Sequence, residues 1–475
     1  MAARNDTIAA VATGVGGAIA VIRISGPDAI TICDTVVRTT SGRKLADAKG
    51  YTLHYGEITD KDGNSVDDVI VSLFRAPKSY TGEDMVEISC HGSRYIQQRI
   101  ITLLLDAGAR NAEAGEFTIR AFLAGKMDLS QAEAVADMIA STDKATHALA
   151  LNQMRGGYSD EFGRLRERLL NIASLLELEL DFSEEEVEFA DRSQLSALTE
   201  EIKSKIARLL DSFRQGNAIK EGIAVAIVGE PNVGKSTLLN TLLKEDRAMV
   251  SDIAGTTRDV IEESINIRGV RFRFIDTAGI RHTDDALEKM GIERTFASID
   301  KADIILLLVE PTDDPETTMA KIDEAVAAIT IQEHQKLCVL LNKADKHGLD
   351  SAGHTITTIG TTSGRHTPTV PQAIIPISAK KGRNIDRILD FLYETSHVEE
   401  VYKGDAIVSN SRHYEALSRA YDAISRVGDG IAQDIPSDFI AQDIRETLHY
   451  LGMITGEITT DEILGNIFSK FCIGK

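Results

Sequence analysis

Gly229-Glu230-Pro231-Asn232-Val233-Gly234-Lys235-Ser236 has the spacing G-x-x-x-x-G-K-[ST]. Glycines at that spacing let the backbone curl so that successive N–H groups converge on phosphate oxygens. Lys235 supplies a point charge for the β- and γ-phosphates, and the Ser236 hydroxyl is a ligand for Mg²⁺. Chemistry of this kind needs a rigid mount. The apolar run from Ile223 to Val228 predicts a buried strand entering the loop. Thr237 to Leu243 predicts a helix leaving it, with its positive end toward the phosphates.

Further segments sit at matching places downstream. A strand predicted over Arg271 to Ile275 delivers Asp276-Thr277-Ala278-Gly279, a carboxylate for the Mg²⁺ shell and a glycine N–H for the γ-phosphate. A buried strand follows over Asp303 to Val309. Strands over Leu337 to Leu341 and Ile374 to Ile377 deliver Asn342-Lys343-Ala344-Asp345 and Ser378-Ala379-Lys380. Each lies just past a strand's C-terminal end, where open α/β sheets bind ligands. The two oxygens of Asp345 can accept the N1–H and 2-amino hydrogens of guanine, whereas adenine offers no such donor pair. The plainer alternative for 342–345 is a solvated turn.

Hydrolysis requires more. The residue after Gly279 is Ile280, which cannot orient water as a Gln does in Ras-like proteins, and no arginine finger is evident. Asp284, Asp285 and Glu288 are the nearest carboxylates. A monovalent cation is a candidate source of positive charge. Asn232 offers it a neutral oxygen, or else is a turn residue after Pro231. Ser251-Asp252-Ile253-Ala254-Gly255-Thr256-Thr257 could add carbonyls, with Thr257 on Mg²⁺.

The chain has 475 residues, 43% of them hydrophobic, enough for about three domains with real cores. Its net charge of −21 argues against a surface that coats nucleic acid generally, though not against a local basic patch. Cys33, Cys90, Cys338 and Cys472 form no metal-like spacing and read as reduced thiols in a cytoplasmic protein. Residues 7–22, interrupted by Gly14, Gly16 and Gly17, read as a loop and strand and not as a signal peptide. No run reaches the ~18 apolar residues of a membrane span.

Residues 1 to about 120 read as mixed α/β, with strands over 18–24, 51–58, 69–74 and 84–89 and a helix over 94–105. Helical periodicity follows: Leu165, Leu169, Ile172 and Leu176, then Leu195, Leu198, Ile202, Ile206 and Leu209. Gln215-Gly216-Asn217 reads as a break. The nucleotide segment runs to about residue 382, and helices resume over 385–393, 414–424 and 439–451. The economical arrangement is one helical domain interrupted by an inserted nucleotide domain. The divisions are 1–120, 121–215, 216–382 and 383–475.

With these parts assembled, the chain resembles the MnmE/TrmE family of tRNA-modifying GTPases. The resemblance spans essentially its whole length. It rests on Arg23-Ile24-Ser25-Gly26, Tyr80-Thr81-Gly82-Glu83-Asp84, the run from Gly115 to Leu123, Gly125-Lys126-Met127-Asp128-Leu129-Ser130-Gln131-Ala132-Glu133-Ala134, and the terminal Cys472-Ile473-Gly474-Lys475. The loop before Arg23 is short of the prolines and arginine that some members carry. The resemblance implies a multidomain α/β and all-α fold: an N-terminal α+β folate-binding domain, a central helical domain and an inserted Ras-like P-loop domain with a doubly wound sheet.

The resemblance also implies homodimerisation through the N-terminal domains and a partner flavoprotein of the MnmG/GidA family, which is FAD-dependent. Together they would add a carboxymethylaminomethyl group at C5 of the wobble uridine of certain tRNAs. A 5-formyl- or 5,10-methylene-tetrahydrofolate would supply the one-carbon unit. Arg23, Glu83, Lys126 and Lys475 look like folate contacts, and Cys472 is a candidate thiol for the modification. Asn232, Ser251, Ile253 and Thr256 match the family's K⁺-binding elements, and Ser236 with Thr257 would hold Mg²⁺. Glu288 matches the family's catalytic carboxylate, which orients the attacking water through a further water; Lys235 is a second catalytic candidate. The rival reading is a GTP-gated ribosome assembly factor, which would have no use for the N-terminal motifs or the Cys-Ile-Gly-Lys tail.

Overall fold

The structure, a computed structural model, describes residues 6–14, 16–157, 159–181, 192–249, 263–275, 298–347, 371–403, 406–469, 471 and 474. The chain divides into two compact units: residues 1–139, 153–198 and 423–475 in one, 140–152 and 199–422 in the other.

The first unit opens on an alternating sheet. In chain order come β1 (Ile8–Val11), β2 (Ile19–Ser25), α1 (Ala29–Val36), β3 (Val37–Thr39), β4 (Thr52–Thr59), β5 (Ser65–Phe74), β6 (Met85–His91), α2 (Arg94–Asp106) and β7 (Arg110–Asn111). The strand order is β3-β4-β5-β6-β2-β1-β7, antiparallel except for β1 with β7. Side chains alternate between faces along a strand. Ile22, Ile24, Val69, Val71, Val86 and Ile88 therefore fall on one face, buried with residues of α1 and α2. The opposite face is covered near β1 by Phe117 and bare near β4 and β5, where Tyr55 lies directly opposite Ile70 and both are exposed.

Helices follow along the chain: α3 (Glu116–Leu123), α4 (Leu129–Ala140), α5 (Lys144–Met154), α6 (Ser159–Asp181) and α7 (Arg192–Glu221); most of α5 and most of α7 belong to the second unit. Helix α4 starts on a reciprocal cap, in which the Gln131 N–H donates to Asp128 and the Asp128 N–H donates to the Gln131 side chain, at 2.7 and 2.9 Å.

The second unit holds β8 (Ile223–Gly229), α8 (Lys235–Met249), β9 (Glu263–Ile267), β10 (Val270–Phe274), β11 (Ile304–Val309), α9 (Pro315–Ala327), β12 (Lys336–Leu341) and β13 (Ala373–Pro376). Helices α10 (Ile385–Thr395), α11 (Val398–Tyr402) and α12 (Ser411–Ala432) come after. The order is β13-β12-β11-β8-β10-β9, parallel throughout except for the edge strand β9. Both faces are covered. Val225, Ile227, Leu306 and Leu340 enter one apolar layer; Ala226, Val228, Leu307 and Val339 enter the other. Burial on both faces is why these strands read as unbroken apolar runs.

The chain returns to the first unit within α12 and continues there as α13 (Ser437–Thr455), packed along α6, and α14 (Asp461–Phe468). Leu464, Phe468 and Phe471 close an apolar cluster with Ile119, Leu129 and Ala132. No helix among the described residues is long and apolar enough to cross a membrane.

The expected strands and long helices are present, with ends shifted by a few residues. The break expected at 215–217 is overturned: α7 runs through it to Glu221, and the turn comes at Gly222, at φ +93°. Gly216 is small for another reason. A β-carbon there would lie 2.2 Å from the Val408 carbonyl oxygen and 2.8 Å from Ile407 Cγ2. Glycine here permits close packing of the 407–408 segment on the helix. Gly216→Ala should accordingly cost about 1–3 kcal/mol, read as a lower denaturation midpoint; an unchanged midpoint would show that this close approach does not persist in solution.

Candidate functional site

Strand β8 is where the order of the second sheet reverses, with β10 on one side and the later strands on the other. A crevice opens at the C-terminal ends of strands at such a point. The loop from Gly229 to Lys235 lies there, and α8 leaves it. Asn232 holds a left-handed conformation, at φ +61°. Val233 is buried, Ser236 half-buried and Thr237 exposed in the first turn of α8. The Lys235 ammonium donates to the carbonyls of Gly229 and Glu230, at 2.7 and 2.8 Å. Burial pulls Lys235 below the usual lysine range, with Glu230 partly offsetting it. Its partners are carbonyl dipoles; a phosphate oxygen would meet the same ammonium with a full opposite charge.

Asn342 joins the loops. Its side-chain amide, on a residue 3% exposed, donates to the Val233 carbonyl at 2.7 Å and accepts from the Ala379 N–H at 3.0 Å. One side chain thus spans the phosphate loop, its own loop and the Ser378-Ala379-Lys380 turn. Gly234 is required beside it: a β-carbon there would fall 2.3 Å from the Asn342 amide nitrogen. Thr241 of α8 adds a second tie, donating to the Ala379 carbonyl at 3.0 Å. The three predicted segments are therefore brought together.

Asp345 stands in the next turn, fixed by the Ala344 N–H donating to the Ile377 carbonyl at 3.0 Å. Hydrogen bonds from Lys381 and Ser378 hold its carboxyl down at about 2. Lys381 donates at 2.7 Å, and sequence reasoning missed it. Lys380, the expected lysine, is exposed. Lys343 pairs with Glu310 at 2.6 Å. Nothing in the spacing distinguishes Lys381 from its neighbour. Ser251 to Thr257, Asp276 to Gly279 and Glu288 lie outside the described residues. Among the described residues no three His, Cys, Asp or Glu side chains gather as a metal site.

The N-terminal candidates belong to the other unit. Arg23 of β2 faces Glu87 across the β2–β6 ladder and bonds it at 2.8–2.9 Å. Its guanidinium also lies over the rings of Tyr80 and Phe117, 5.4 and 5.6 Å from their centroids. It reaches the Gly474 carbonyl at 3.4 Å, which brings the tail to this place; Cys472 and Lys475 themselves lie outside the described residues. Lys126 is exposed and donates to the Pro77 carbonyl.

Glu83 has different partners. Its carboxylate accepts from Ser25 at 2.7 Å and from Arg120 at 3.1 Å. Arg120, 8% exposed, also bonds Asp6 and Glu116, and both of these are held by Arg110. The hydrogen bond from Arg110, with further bonds from Arg120, keeps Asp6 below the usual carboxylate range. Burial pushes Glu116 up, but the bonds from Arg110, the Glu113 N–H and Arg120 outweigh it, so Glu116 also sits low. Arg120 stands inside the run from Gly115 to Leu123, but only the fold shows that it collects three carboxylates. Glu87 carried no signal beyond alternation.

Residues 7–126 match the family described as the GTP-binding protein TrmE N-terminus, and residues 129–472 match the MnmE helical domain. The tRNA modification GTPase MnmE of Bacteroides thetaiotaomicron is 52% identical, over 99% of this chain and 100% of that one. The protein of that name from Parabacteroides distasonis is also 52% identical, with the same coverage. The chain belongs to the MnmE family. The MnmE match to residues 129–472 encloses the second sheet, so the P-loop fold is inserted within the helical domain. A solved GTP-binding protein from Sulfolobus solfataricus in complex with GDP is 19% identical over 53% of this chain and 71% of that one, at TM-score 0.24, a likeness too loose to carry weight.

Arg120→Met should cost about 3–5 kcal/mol, because it leaves Glu83, Glu116 and Asp6 short of their shared cation. Asp6 and Glu116 titrate low in the folded state, so their contribution is full above the ordinary carboxylate range and is lost as pH falls through their depressed values. Denaturation at a series of pH values should show a shallower acid-side loss in the variant. Equal slopes for both proteins would count against the cluster.

Proposed function

We propose that this protein hydrolyses GTP and takes part in tRNA modification, the activity named for its Bacteroides and Parabacteroides relatives. The observation that carries the reading is the Asn342 junction, which holds the phosphate loop and the base-reading turns as one rigid cradle, in a chain of that family. Its parts take separate roles. Backbone N–H groups from Asn232 to Thr237 and the Lys235 ammonium receive the phosphates. Asp345 reads guanine, with Asn342, Lys343, Ala344, Ser378, Ala379 and Lys380 around it.

Ser236 and Thr257 would hold Mg²⁺, a fit supported by the half-buried place of Ser236 in the first turn of α8. Asn232, with Ser251, Ile253 and Thr256, would hold K⁺; its exposed left-handed turn supports an outward oxygen. K⁺ would supply the positive charge that an arginine finger supplies elsewhere. Asp252, Ala254, Gly255, Asp276, Thr277, Ala278 and Gly279 complete the nucleotide set, and Glu288 orients the attacking water.

The reading extends to the N-terminal unit. Arg23, Glu83 and Lys126, with Lys475, would contact a tetrahydrofolate, the cation of Arg23 suiting its anionic tail. Cys472 would serve the modification. The bare face carrying Leu53, Tyr55 and Ile70, 71%, 58% and 48% exposed, supports homodimerisation, since an exposed apolar patch of this kind is stabilised by burial against a second copy. A flavoprotein of the MnmG/GidA family is the proposed partner on tRNA. Domains over 1–120, 121–215, 216–382 and 383–475 would divide these tasks, with the boundary near 215 moved to the end of α7 at Glu221.

Two measurements test the core of the reading. Asp345→Asn should shift preference from guanine toward xanthine nucleotides, and unchanged GTP selectivity would remove Asp345 from base recognition. Exchanging K⁺ for Na⁺ should slow GTP turnover by at least tenfold, about 1.4 kcal/mol in barrier. Equal rates in the two salts would exclude the alkali-ion role.

A further inference from the structure

Glu83 sits in a turn whose backbone and side chain are held separately. The Glu83 carbonyl accepts from the Ser79 hydroxyl at 2.6 Å, and the Asp84 carbonyl accepts from the Gly26 N–H at 3.0 Å. Gly82 turns in the left-handed region, at φ +80°, where a β-carbon would lie 2.9 Å from that of Ala124 and 3.3 Å from Lys126 Cε. The turn therefore lies against the stem of Lys126. Ser25 and Thr81 are fully buried, and their hydroxyls are 2.7 Å apart. A hydroxyl has one hydrogen to donate. That of Ser25 goes to Glu83 Oε2, at 2.7 Å. Thr81 must then be the donor to Ser25, and the Thr81 oxygen accepts from the Glu83 N–H at 3.3 Å. These bonds close a cycle in one direction: Glu83 N–H to Thr81, Thr81 to Ser25, Ser25 back to the Glu83 carboxylate. Arg120 meets both carboxylate oxygens at the same 3.1 Å, so it anchors the group without choosing between them. Ser25 makes the choice.

We infer that Ser25 and Thr81 are positioning residues of the folate site: their cycle fixes the direction of the Glu83 carboxylate and so makes it selective for the 2-amino edge of a pterin ring. The assignment rests on the folate reading above. Hydrogen bonds in a chain strengthen one another, and in a closed ring neither hydroxyl is free to turn away. A glutamate side chain loose in water would lose its rotamer freedom on meeting a ligand; here that freedom is already lost on folding, which favours binding. The Glu83 side chain is 30% exposed, so a ligand can reach it while the cycle holds it. Ser25 lies two residues from Arg23 on β2, so both side chains leave the same face of the sheet. One face of β2 thus carries the cation proposed for the anionic tail and the hydroxyl that aims the carboxylate proposed for the ring.

The test is a ratio of affinities. The full-length protein is titrated with 5-formyl-tetrahydrofolate and with its 2-desamino-2-methyl analogue, which keeps the ring and lacks the amino donor. Wild type should prefer the first by at least roughly tenfold, the worth of a hydrogen bond to a carboxylate. Ser25→Ala and Thr81→Val should each lower that preference about threefold to tenfold, whereas Thr81→Ser, which keeps the hydroxyl, should hold it near the wild-type value. A ratio of two Kd values does not depend on the fraction of the sample that is folded, so lost stability does not imitate the effect. An unchanged ratio in both Ser25→Ala and Thr81→Val, with the wild-type preference present, would overturn the positioning role and leave the folate reading intact. Wild type binding neither compound, or binding both alike, would overturn the reading of Glu83 as a pterin contact, and the role of the cycle with it.

Discussion

A buried amide with two backbone partners holds the nucleotide cradle together. Asn342 cannot leave that position cheaply, because the Val233 carbonyl and the Ala379 N–H would each lose a partner in a dry place. The rest of the second unit serves this contact. Parallel strands buried on both faces present their C-terminal ends in one plane, and the loops that follow are short enough to be cross-linked by one side chain. Gly234 makes room for the amide, and Thr241 of α8 repeats the tie from the helix. The 229–235 loop and the turns at 342–345 and 378–381 are therefore tied into one body and are not three independent loops.

The N-terminal unit uses a different device. Arg120 and Arg110 gather Asp6, Glu83 and Glu116 into one network centred on the buried Arg120 and Glu116, and the bonds keep Asp6 and Glu116 below the usual carboxylate range. Each ion there is satisfied by several partners, which is the condition under which buried charges are tolerable. Arg23 stands outside that network, with Glu87 and the Gly474 carbonyl as partners and two aromatic rings beside it. It is more exposed than Arg120 and less exposed than Arg110.

Strands and helices with strong periodicity were legible in the sequence, because burial on one or both faces imposes a period that needs no knowledge of neighbours. The runs at 223–228 and 337–341 and the leucine stripes are of this kind. Short elements were not: β1 has four residues, α1 eight and β9 five. The break expected at 215–217 failed because a helix interior tolerates glycine when a neighbouring backbone must come close. Local propensity has no access to Val408, some 190 positions away in the chain.

For the site, residue types and spacing alone pointed to a phosphate loop, to Asp345 as the proposed reader of the base, and to the order of strands that carry them. These are local chemical requirements, written within eight residues at a time. Partnerships across distance were decided only by tertiary structure. That Lys381 and not Lys380 reaches Asp345, that Arg120 takes Glu83, and that Arg23 meets Glu87 all follow from which turns and strands are placed side by side. A side chain's partner is set by the geometry of packing, and packing depends on the whole chain.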